Sequence, residues 1–449
     1  MITQLPPEIP PHIIKRYLSD WPFATTGHQL QGLGKGAGPE HYTDTLKKLG
    51  EERAGKLSIY IHVPFCAVRC HFCACNTNIT HDSRKIEGYL DTLEKEMDLV
   101  VEYLGRGWEV SELHVGGGSP NYLTESQLAR LMEIVDDHFR LADDICACIE
   151  CNPRWASVPQ LELLRNIGFE RVSLGVQDLS PQVQRIIGRM QSAAVIRDVC
   201  RMARDTNFRN IKVDLIYGLP DQTEDALAMT LEHIIRMQPD RISCLSYEHT
   251  PSLRPHQAAI PAQSLPGTNE KFSLFLRIVK DLTQAGYQWI GADCFALPQD
   301  DWSQAQAEER LGHNSIGYTA QATDYQLAFG THGLGELGPL FVQNEPQLGS
   351  WTQAIKAGRL PIAWGHRFSD EEYRRHRAYN HLLCNLRLTD HLELEGLAME
   401  TFITDGLFER EAAGLRVTPL GRLFLRSLCV QRAASLDWAS AQWRFPRNS

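Results

Sequence analysis

The sequence predicts an α/β fold in which a partial parallel (β/α)6 barrel follows an N-terminal arm and precedes a small, mainly helical C-terminal domain. From Leu57 onward, short runs rich in β-branched residues alternate with segments whose apolar residues recur at helical spacing. Strands that alternate with helices form right-handed βαβ units and hence a parallel sheet, which can close wholly or partly into a barrel. The strand segments read LSIYIHV, SELHV, ICACIE, RVSLGVQ, IKVDLIY and RISCLSY.

The segments between these strands carry the signals of helices. Thr124 with Gln127 and Ser157 with Gln160 have the spacing of capping boxes. Pro181 stands where proline is favoured, in the first turn of a helix. The clearest apolar face belongs to the helix after the cysteine-rich segment, and it comprises Ile86, Leu90, Leu93, Met97, Val100, Val101 and Leu104.

Three parts of the chain differ in their pattern. Residues 1–50 are rich in proline and glycine and weakly periodic, which predicts an arm. Residues 51–365 contain the alternation of strands and helices, which loosens after Gly291 into glycine-rich sequence. Residues 366–449 begin with the helical pattern EEYRRHRAYNHLLCNLRL, so we expect a C-terminal helical domain there.

Composition narrows the class of protein. The 449-residue chain is 43% hydrophobic and 22% charged, as is usual for a globular enzyme. Its formal charge of −10 provides no basic footprint, so we expect no nucleic-acid partner. Neither a signal-peptide pattern nor a membrane-spanning apolar stretch is present, so we expect a cytoplasmic protein with no membrane contact.

Four of the twelve cysteines lie close together after the first strand. Cys66, Cys70, Cys73 and Cys75 read C-x3-C-x2-C-x-C. In a large chain without a secretion signal, such clustering indicates metal or redox chemistry rather than disulfides. Three thiolates at this spacing suit three irons of a 4Fe–4S cluster and leave the fourth iron open. Zinc is the alternative, although a structural zinc site needs a second ligand pair and no matching C-x2-C or H-x3-H follows.

A second group of cysteines lies in the segment CACIEC. Cys146, Cys148 and Cys151 alternate within an apolar run that ends at Pro153. A free cysteine packs as a small hydrophobic residue. We therefore interpret these three as strand residues rather than as a metal site.

Glycines and polar residues stand at the ends of the predicted strands. Gly116, Gly117 and Gly118 follow a strand, where glycine lets backbone amides approach a ligand, although a plain βα turn also explains them. Because the C-terminal ends of barrel strands form one face, these residues and the cysteine segment should meet at one mouth. Arg189 would be a surface residue by default. The polar residues at strand ends are Glu150, Gln177, Asp214 and Glu248.

The motif C-x3-C-x2-C, with an aromatic residue before the third cysteine, resembles the signature of radical S-adenosylmethionine (SAM) enzymes. The extension C-x-C-N, preceded by Y-I-H-V-P-F, is similar to the family of oxygen-independent coproporphyrinogen III oxidases, and the resemblance covers most of the chain. It implies a radical-SAM barrel in which the open iron binds SAM and one-electron reduction yields a 5′-deoxyadenosyl radical. It also implies that two propionates of coproporphyrinogen III are decarboxylated to vinyl groups in haem biosynthesis.

The resemblance implies roles for individual residues. Cys66, Cys70 and Cys73 would hold the cluster, and Cys75 would be a catalytic, active-site thiol rather than a ligand. Contacts to the cluster-bound SAM fall on Tyr60, Gly117, Glu150 and Leu334. Contacts to a second SAM fall on Phe72, Gly118, Ser119, Gln177, Arg189 and Asp214, with Glu248 standing where the family has a small alanine.

The chain departs from the family at both ends. It reads YLSDWPFATTGH where the family carries Arg-Tyr-Thr-Ser-Tyr-Pro, and a Phe-Asp pair near the C-terminal end is missing.

We expect a porphyrinogen substrate, a small electron donor such as flavodoxin or ferredoxin, and a monomer. Two alternatives keep the same barrel: a paralogous radical SAM enzyme, either a methyltransferase or a haem-handling enzyme, and a non-catalytic haem chaperone. Cys75 argues against many such paralogues, because they match the motif only through the third cysteine.

Overall fold

The structure is a computed structural model that describes residues 5–6, 8–18, 36–321, 323–389, 399–412 and 414–425. Its centre is a twelve-stranded sheet in the order β16-β15-β14-β13-β1-β4-β5-β6-β7-β8-β10-β9. Six neighbouring strands are parallel. They are β1 (Leu57–Val63), β4 (Glu109–Gly117), β5 (Arg140–Cys151), β6 (Arg171–Gln177), β7 (Asn210–Tyr217) and β8 (Arg241–Ser246). Five of them contain a predicted segment in full, and β8 contains RISCLSY up to Ser246.

Further strands extend this parallel sheet on both sides. On one side β13 (Tyr325–Phe329) is parallel to β1 and is followed by antiparallel β14 (Leu334–Leu337), β15 (Leu340–Asn344) and β16 (Ile362–Arg367). On the other side β10 (Cys294–Ala296) and β9 (Gln288–Ile290) are antiparallel. The partial α/β barrel predicted from the sequence is thereby confirmed. Two short pairs lie outside the sheet: β2 (Phe65–Cys66) with β3 (Asn78–Ile79), and β11 (Gly312–Asn314) with β12 (Gly317–Thr319).

The helices connect these strands. Those before and within the barrel are α1 (Pro11–Tyr17), α2 (Pro39–Glu52), α3 (Ser83–Leu104), α4 (Glu125–His138), α5 (Val158–Asn166), α6 (Pro181–Ile187), α7 (Ala193–Asp205) and α8 (Glu224–Met237). Those after it are α9 (Thr268–Gln284), α10 (Asp301–Ala307), α11 (Leu348–Lys356), α12 (Asp370–Asn385), α13 (Met399–Thr404) and α14 (Pro419–Leu423). None of the helices in these ranges has the length and apolar content that a membrane crossing requires.

Helix α3 shows how the sequence pattern produces the packing. All seven residues of its predicted apolar face are buried, and Asp82 caps its first turn by accepting a hydrogen bond from the amide of Arg84. Burying each such aliphatic side chain stabilises the fold by about 1.5–3 kcal/mol. Thr124 and Gln127 form the predicted capping box at the start of α4, and α6 begins at Pro181 as predicted.

The C-terminal part contains the predicted helices and an additional small sheet. Helix α12 begins with a capping box between Ser369 and Glu372. An antiparallel sheet follows in the order β17-β19-β18, from β17 (Arg387–Thr389), β18 (Phe408–Glu411) and β19 (Gly414–Val417). These strands are too short and too charged to be predicted from alternation. The domain boundaries at residues 50 and 365 stay a prediction.

The turn after β13 brings helix α3 against the end of β1. The hydroxyl of Tyr89 donates to the carbonyl of His62 at 2.6 Å, and the amide of Gly330 donates to Glu96 at 2.8 Å. Gly330 has φ +86, and a Cβ there would overlap the Tyr89 hydroxyl and lie 2.6 Å from the His62 carbonyl oxygen. Only glycine therefore fits this turn without strain.

Gly330→Ala should lower the free energy of unfolding by roughly 3 kcal/mol, because a positive φ and a steric clash add. The matched control is Gly338→Ala, which also has a positive φ of +61 but meets nothing within 4 Å. That control should lose only about 1–2 kcal/mol. Urea denaturation of the two variants measures the difference, and equal losses would contradict the packing described for Gly330.

Candidate active site

The residues predicted to act together lie at the C-terminal ends of the parallel strands. The cysteine segment follows β1, and the glycine run closes β4. Glu150 and Gln177 lie at the ends of β5 and β6, and Glu248 lies just beyond β8. Because neighbouring strands are parallel, these positions share one edge of the sheet. The predicted convergence on one mouth follows from this topology.

The cysteine segment is a loop between β2 and β3, and its outer part is fixed by the C-terminal end of α6. The backbone amide of His71 donates to the carbonyl of Ile187 at 2.9 Å. The ring Nδ1 of His71 donates to the carbonyl of Ile186 at 2.8 Å. On the other side the side-chain amide of Asn76 donates to the carbonyl of Pro346 at 2.7 Å. The loop is thus held by segments that are distant in sequence.

A short 3₁₀ segment after β8 holds the middle of the same loop. Three consecutive carbonyls of the loop, Phe72 to Ala74, each accept a hydrogen bond from it. The donors are Gln257 at 3.1 Å, His256 at 2.7 Å and Arg254 at 3.1 Å. These hydrogen bonds satisfy loop carbonyls, which lack the backbone partners that a helix or a sheet would provide.

The three predicted cluster thiols face one another across this loop. Burial raises the pKa of the Cys66 thiol, and the charges of Cys73 and Cys70 contribute to that rise, so the three sulfurs are close together. The Cys66 sulfur lies 3.5 Å from the Ser119 hydroxyl. All three cysteines are free of disulfides. In the described ranges, no three His, Cys, Asp or Glu side chains surround a single ion position. A 4Fe–4S cluster does not require that, because each thiolate binds a different iron. The donor set therefore fits such a cluster.

Two arginines stand beside the Cys70 sulfur. Arg189 Nη1 lies 3.8 Å from Cys70 Sγ, and its Nη2 donates to the carbonyl of Gly175 at 2.6 Å. Arg189 is only 7% exposed, so its default assignment to the surface is wrong. Its Nε is buried without a partner among the described residues. Arg154 is also hydrogen-bonded to Cys70, and burial lowers its pKa. An unpaired buried guanidinium nitrogen suits an anionic ligand such as a carboxylate.

Cys75 lies beside Cys73 and is exposed to solvent. A hydrogen bond between the two thiols raises the pKa of Cys75 and lowers that of Cys73. The pKa of Cys75 is raised further by Glu150 and Cys66, so these groups are also near it. The Cys75 thiol therefore lies next to the predicted cluster ligands and is accessible from the barrel mouth.

Glu150 is paired with a histidine that the sequence interpretation missed. Its Oε1 lies 3.0 Å from His114 Nε2, and its Oε2 accepts from the amide of Gly117 at 3.2 Å. Burial raises the pKa of Glu150, but His114, Lys212 and the amide of Gly117 together outweigh it, and the net shift is downward. The pKa of His114 is raised to about 10 despite burial, by Cys148 and Glu150. Glu150 is thus a carboxylate with lone pairs still free for a ligand.

Tyr60 is oriented by a second missed histidine. His62 Nε2 donates to the carbonyl of Asn76 at 2.9 Å, so its Nδ1 accepts from the Tyr60 hydroxyl at 3.0 Å. Burial lowers the pKa of His62, which keeps the ring neutral as this arrangement requires. Tyr60 pairs in register with His114. The sequence could have indicated both histidines. Each lies two positions from a residue already singled out on the same strand, and side chains two positions apart face the same side of a sheet.

The glycine run is required by close packing. Gly117 has φ +114, and a Cβ on it would meet the ring of His62 at 2.8 Å. A Cβ on Gly118 would lie 2.7 Å from the Phe65 carbonyl oxygen. Larger residues would therefore push the cysteine loop away from β4. The run brings the backbone of β4 against the loop, as a cofactor site between them requires.

Gln177 ends β6, whereas Asp214 lies inside the neighbouring β7, three residues before its end, so its predicted place at a strand end is wrong. Gln177 has φ +69, rare for a residue with a side chain, at an irregularity in the pairing of β6 with β7. Such backbone conformations concentrate at functional sites. Asp214 accepts from Ser173 at 2.5 Å and pairs with Lys212 at 2.9 Å. Lys212 was not predicted.

The remaining predicted residues lie around this centre. Phe72 is buried among apolar side chains that include Ile187 and Leu219. Leu334 begins β14, and its carbonyl accepts from Gln326 at 2.9 Å. Ser119 is buried after the glycine run. Burial lowers the pKa of Lys271, and the nearby carboxylate of Glu248 partly opposes that shift.

Fold and site together define the class of the protein. Residues 60–234 match the model of the radical SAM superfamily. The cysteine loop, with three thiols for a cluster, lies at the start of this region, and the parallel strands that carry the mouth span it.

Comparison with named proteins narrows the class further. The chain is 37% identical to the oxygen-independent coproporphyrinogen III oxidase of Pseudomonas aeruginosa, over 93% of this chain and 94% of that protein. It is 33% identical to the protein of that name from Synechocystis sp., over 100% of both chains. The solved structure of coproporphyrinogen III oxidase from Escherichia coli matches with a TM-score of 0.84 and 32% identity, over 94% of this chain and 98% of that chain. The chain belongs to the family of oxygen-independent coproporphyrinogen III oxidases.

Proposed function

We propose that the protein catalyses the oxidative decarboxylation of two propionate side chains of coproporphyrinogen III to vinyl groups, giving protoporphyrinogen IX. It is a radical SAM oxidoreductase of haem biosynthesis, and its cofactors are a 4Fe–4S cluster and SAM. One observation carries the proposal: a loop with three thiols and an exposed fourth opens on the barrel mouth of a chain that matches named oxidases along almost its whole length.

We assign Cys66, Cys70 and Cys73 as the cluster ligands. When bound, the cluster and SAM supply the radical that removes a hydrogen atom from the β-carbon of a propionate. The propionate radical then loses carbon dioxide and passes one electron to an external one-electron acceptor as the vinyl double bond forms. We assign Cys75, exposed beside Cys73, as the thiol that serves the substrate.

The binding of SAM is assigned to the polar groups of the mouth. The unpartnered Nε of Arg189 suits the carboxylate of SAM, and the oxygens of Glu150 and Asp214 suit ribose hydroxyls. Tyr60 is held in place by its hydrogen bond to His62. The other proposed contacts are Phe72, Gly117, Gly118, Ser119, Gln177, Glu248 and Leu334.

Three finer features of the enzyme are also proposals. Each SAM consumed requires one electron, and a small carrier such as flavodoxin or ferredoxin would deliver it. We propose a monomer that works in the cytoplasm. Equilibrium dialysis counts the SAM molecules bound per chain. The count tests the second site, because Glu248 stands where the family has a small residue there.

The alternatives find no support among the relatives reported above, each of which is named a coproporphyrinogen III oxidase. A methyltransferase or haem-handling paralogue would cleave SAM without producing protoporphyrinogen. A chaperone would bind haem without consuming SAM. Anaerobic incubation with dithionite and SAM separates them: we expect SAM consumption to depend on coproporphyrinogen III and to yield protoporphyrinogen. Consumption that is indifferent to the porphyrinogen would contradict the proposal.

Gln177→Gly and Asp214→Asn should each weaken SAM binding by about 10-fold or more, because each removes one hydrogen-bonding group from a buried polar site. Glycine accepts the φ of +69 at position 177, and asparagine leaves an oxygen for half-buried Lys212, so both variants should fold. Equilibrium dialysis measures the affinity of each variant for SAM, and iron analysis should show an intact cluster. Asp198→Asn, on the surface of α7, is the control. Wild-type affinity in both site variants, or loss of iron, would contradict these assignments.

A further inference from the structure

The outside of the cysteine loop carries a ring of exposed apolar side chains. Val68, Ile79, Trp155 and Met190 are 57%, 41%, 44% and 53% exposed. They are four of the eight large hydrophobic residues found exposed in the described ranges. Contiguous exposed apolar groups mark interaction surfaces, whereas single ones need no explanation. We call these four residues the apolar ring.

Two members of the apolar ring belong to the cluster loop itself. Val68 lies midway between Cys66 and Cys70 in the chain. Ile79 pairs in register with Cys66 where β3 meets β2.

The other two members follow the arginines that contact Cys70. Met190 comes directly after Arg189, and Trp155 directly after Arg154. Trp155 also packs edge to face on Tyr122, with ring centroids 5.8 Å apart, and the Tyr122 hydroxyl donates to the carbonyl next to Ile79 in the chain. The four members of the apolar ring thus lie within, or directly next to, the segments that carry or contact the cluster ligands.

Positive charge accompanies the apolar ring, although the chain has a net charge of −10. Arg69, Arg154 and Arg185 form no ion pair with a carboxylate of the described residues. Arg185 is exposed on α6, beside the carbonyl that holds His71. Asp82, the acidic residue nearest to Ile79 in sequence, is already paired with Arg84 at 3.0 Å.

We propose that the apolar ring and these arginines form the docking surface for a small acidic protein that carries one electron. This rests on the proposed function, in which the cluster must be reduced. The carrier loses one electron and the cluster gains one, and no bond forms or breaks. Transient redox complexes use small interfaces, and steering by opposite charge raises their association rates. A two-fold contact between copies of this chain would instead oppose arginine to arginine.

The test measures reduction of the reconstituted cluster by stopped-flow absorbance, without porphyrinogen. Reduced flavodoxin and reduced ferredoxin are the two carriers. Met190→Glu should lower the second-order rate by about tenfold, since it adds an acidic group to a surface that binds an acidic partner. Its matched control is Met229→Glu, on α8, where the native side chain is 63% exposed. The control should match the wild type, and dithionite should reduce all variants equally. Arg185→Glu should slow both carriers and flatten the salt dependence.

Several results would overturn the proposal. One is that neither carrier reduces the wild-type cluster, and another is that Met190→Glu reacts as fast as the wild type. A wild-type dimer that Met190→Glu separates in sedimentation would make the ring a contact between copies of this chain. If Met190→Glu fails to take up iron, Trp155→Ser replaces it. Failure of the proposed function is distinguishable, because it would appear as absent decarboxylation with dithionite while the carrier effect persists.

Discussion

Cys75→Ser should retain the iron–sulfur spectrum and SAM binding while turnover of the porphyrinogen falls by at least about 100-fold. The exposed thiol of Cys75 is hydrogen-bonded to Cys73, at the edge of the mouth. A thiol has a weak S–H bond and an unperturbed pKa near ~8.5, which Cys73 raises here, so Cys75 stays protonated and can relay a hydrogen atom or donate a proton. A serine hydroxyl can do neither at neutral pH. Iron analysis, SAM dialysis and the rate of protoporphyrinogen formation measure the three properties.

Ala74→Ser is the matched control for Cys75→Ser, because Ala74 is the neighbouring exposed residue of the same loop. It should turn over at close to the wild-type rate. Loss of iron from Cys75→Ser would make Cys75 a cluster ligand. Near-normal decarboxylation by Cys75→Ser would reduce Cys75 to a packing residue.

Cys70→Ala should lose the cluster, with iron and sulfide falling below about a tenth of the wild-type content. The groups that contact the Cys70 sulfur are the guanidiniums of Arg189 and Arg154, which cannot replace a thiolate. Removing the ligand would also leave both cations facing each other without a compensating negative charge. Anaerobic iron and sulfide analysis after reconstitution measures the loss.

Cys148→Ala provides the control for Cys70→Ala. Cys148 lies on β5 outside the loop, so its replacement should leave the iron content unchanged. Full iron and sulfide in Cys70→Ala would mean that Cys70 is not a ligand, and the cluster assignment would be wrong.

The parallel strands were predictable because each is a short run of β-branched residues followed by a helix with its own capping signals. The strand LSIYIHV, for example, coincides with β1 in full. Topology then decides which residues meet, since all C-terminal strand ends share one edge. The mouth could therefore be placed from the sequence, although its internal contacts could not.

What could not be predicted depends on contacts between distant parts of the chain. His256 donates a hydrogen bond to the carbonyl of Cys73, from which it is 183 positions away in sequence. No local sequence pattern indicates such a pair. Arg189 looked like a surface residue, because a charged side chain in a loop usually is, yet the carbonyl of Gly175 and the sulfur of Cys70 enclose it. The strand β18 reads FERE, whose charges hide the alternation that would indicate a strand.

Product analysis with labelled substrate tests the proposed reaction most directly. The reconstituted protein would be incubated anaerobically with SAM, dithionite and coproporphyrinogen III that carries deuterium at the propionate β-carbons. We expect mass analysis to show the loss of two carboxyl groups from the porphyrinogen and deuterium in the 5′-deoxyadenosine released. A porphyrinogen that keeps its carboxyl groups while SAM is consumed, or a product that gains a methyl group, would contradict the assignment.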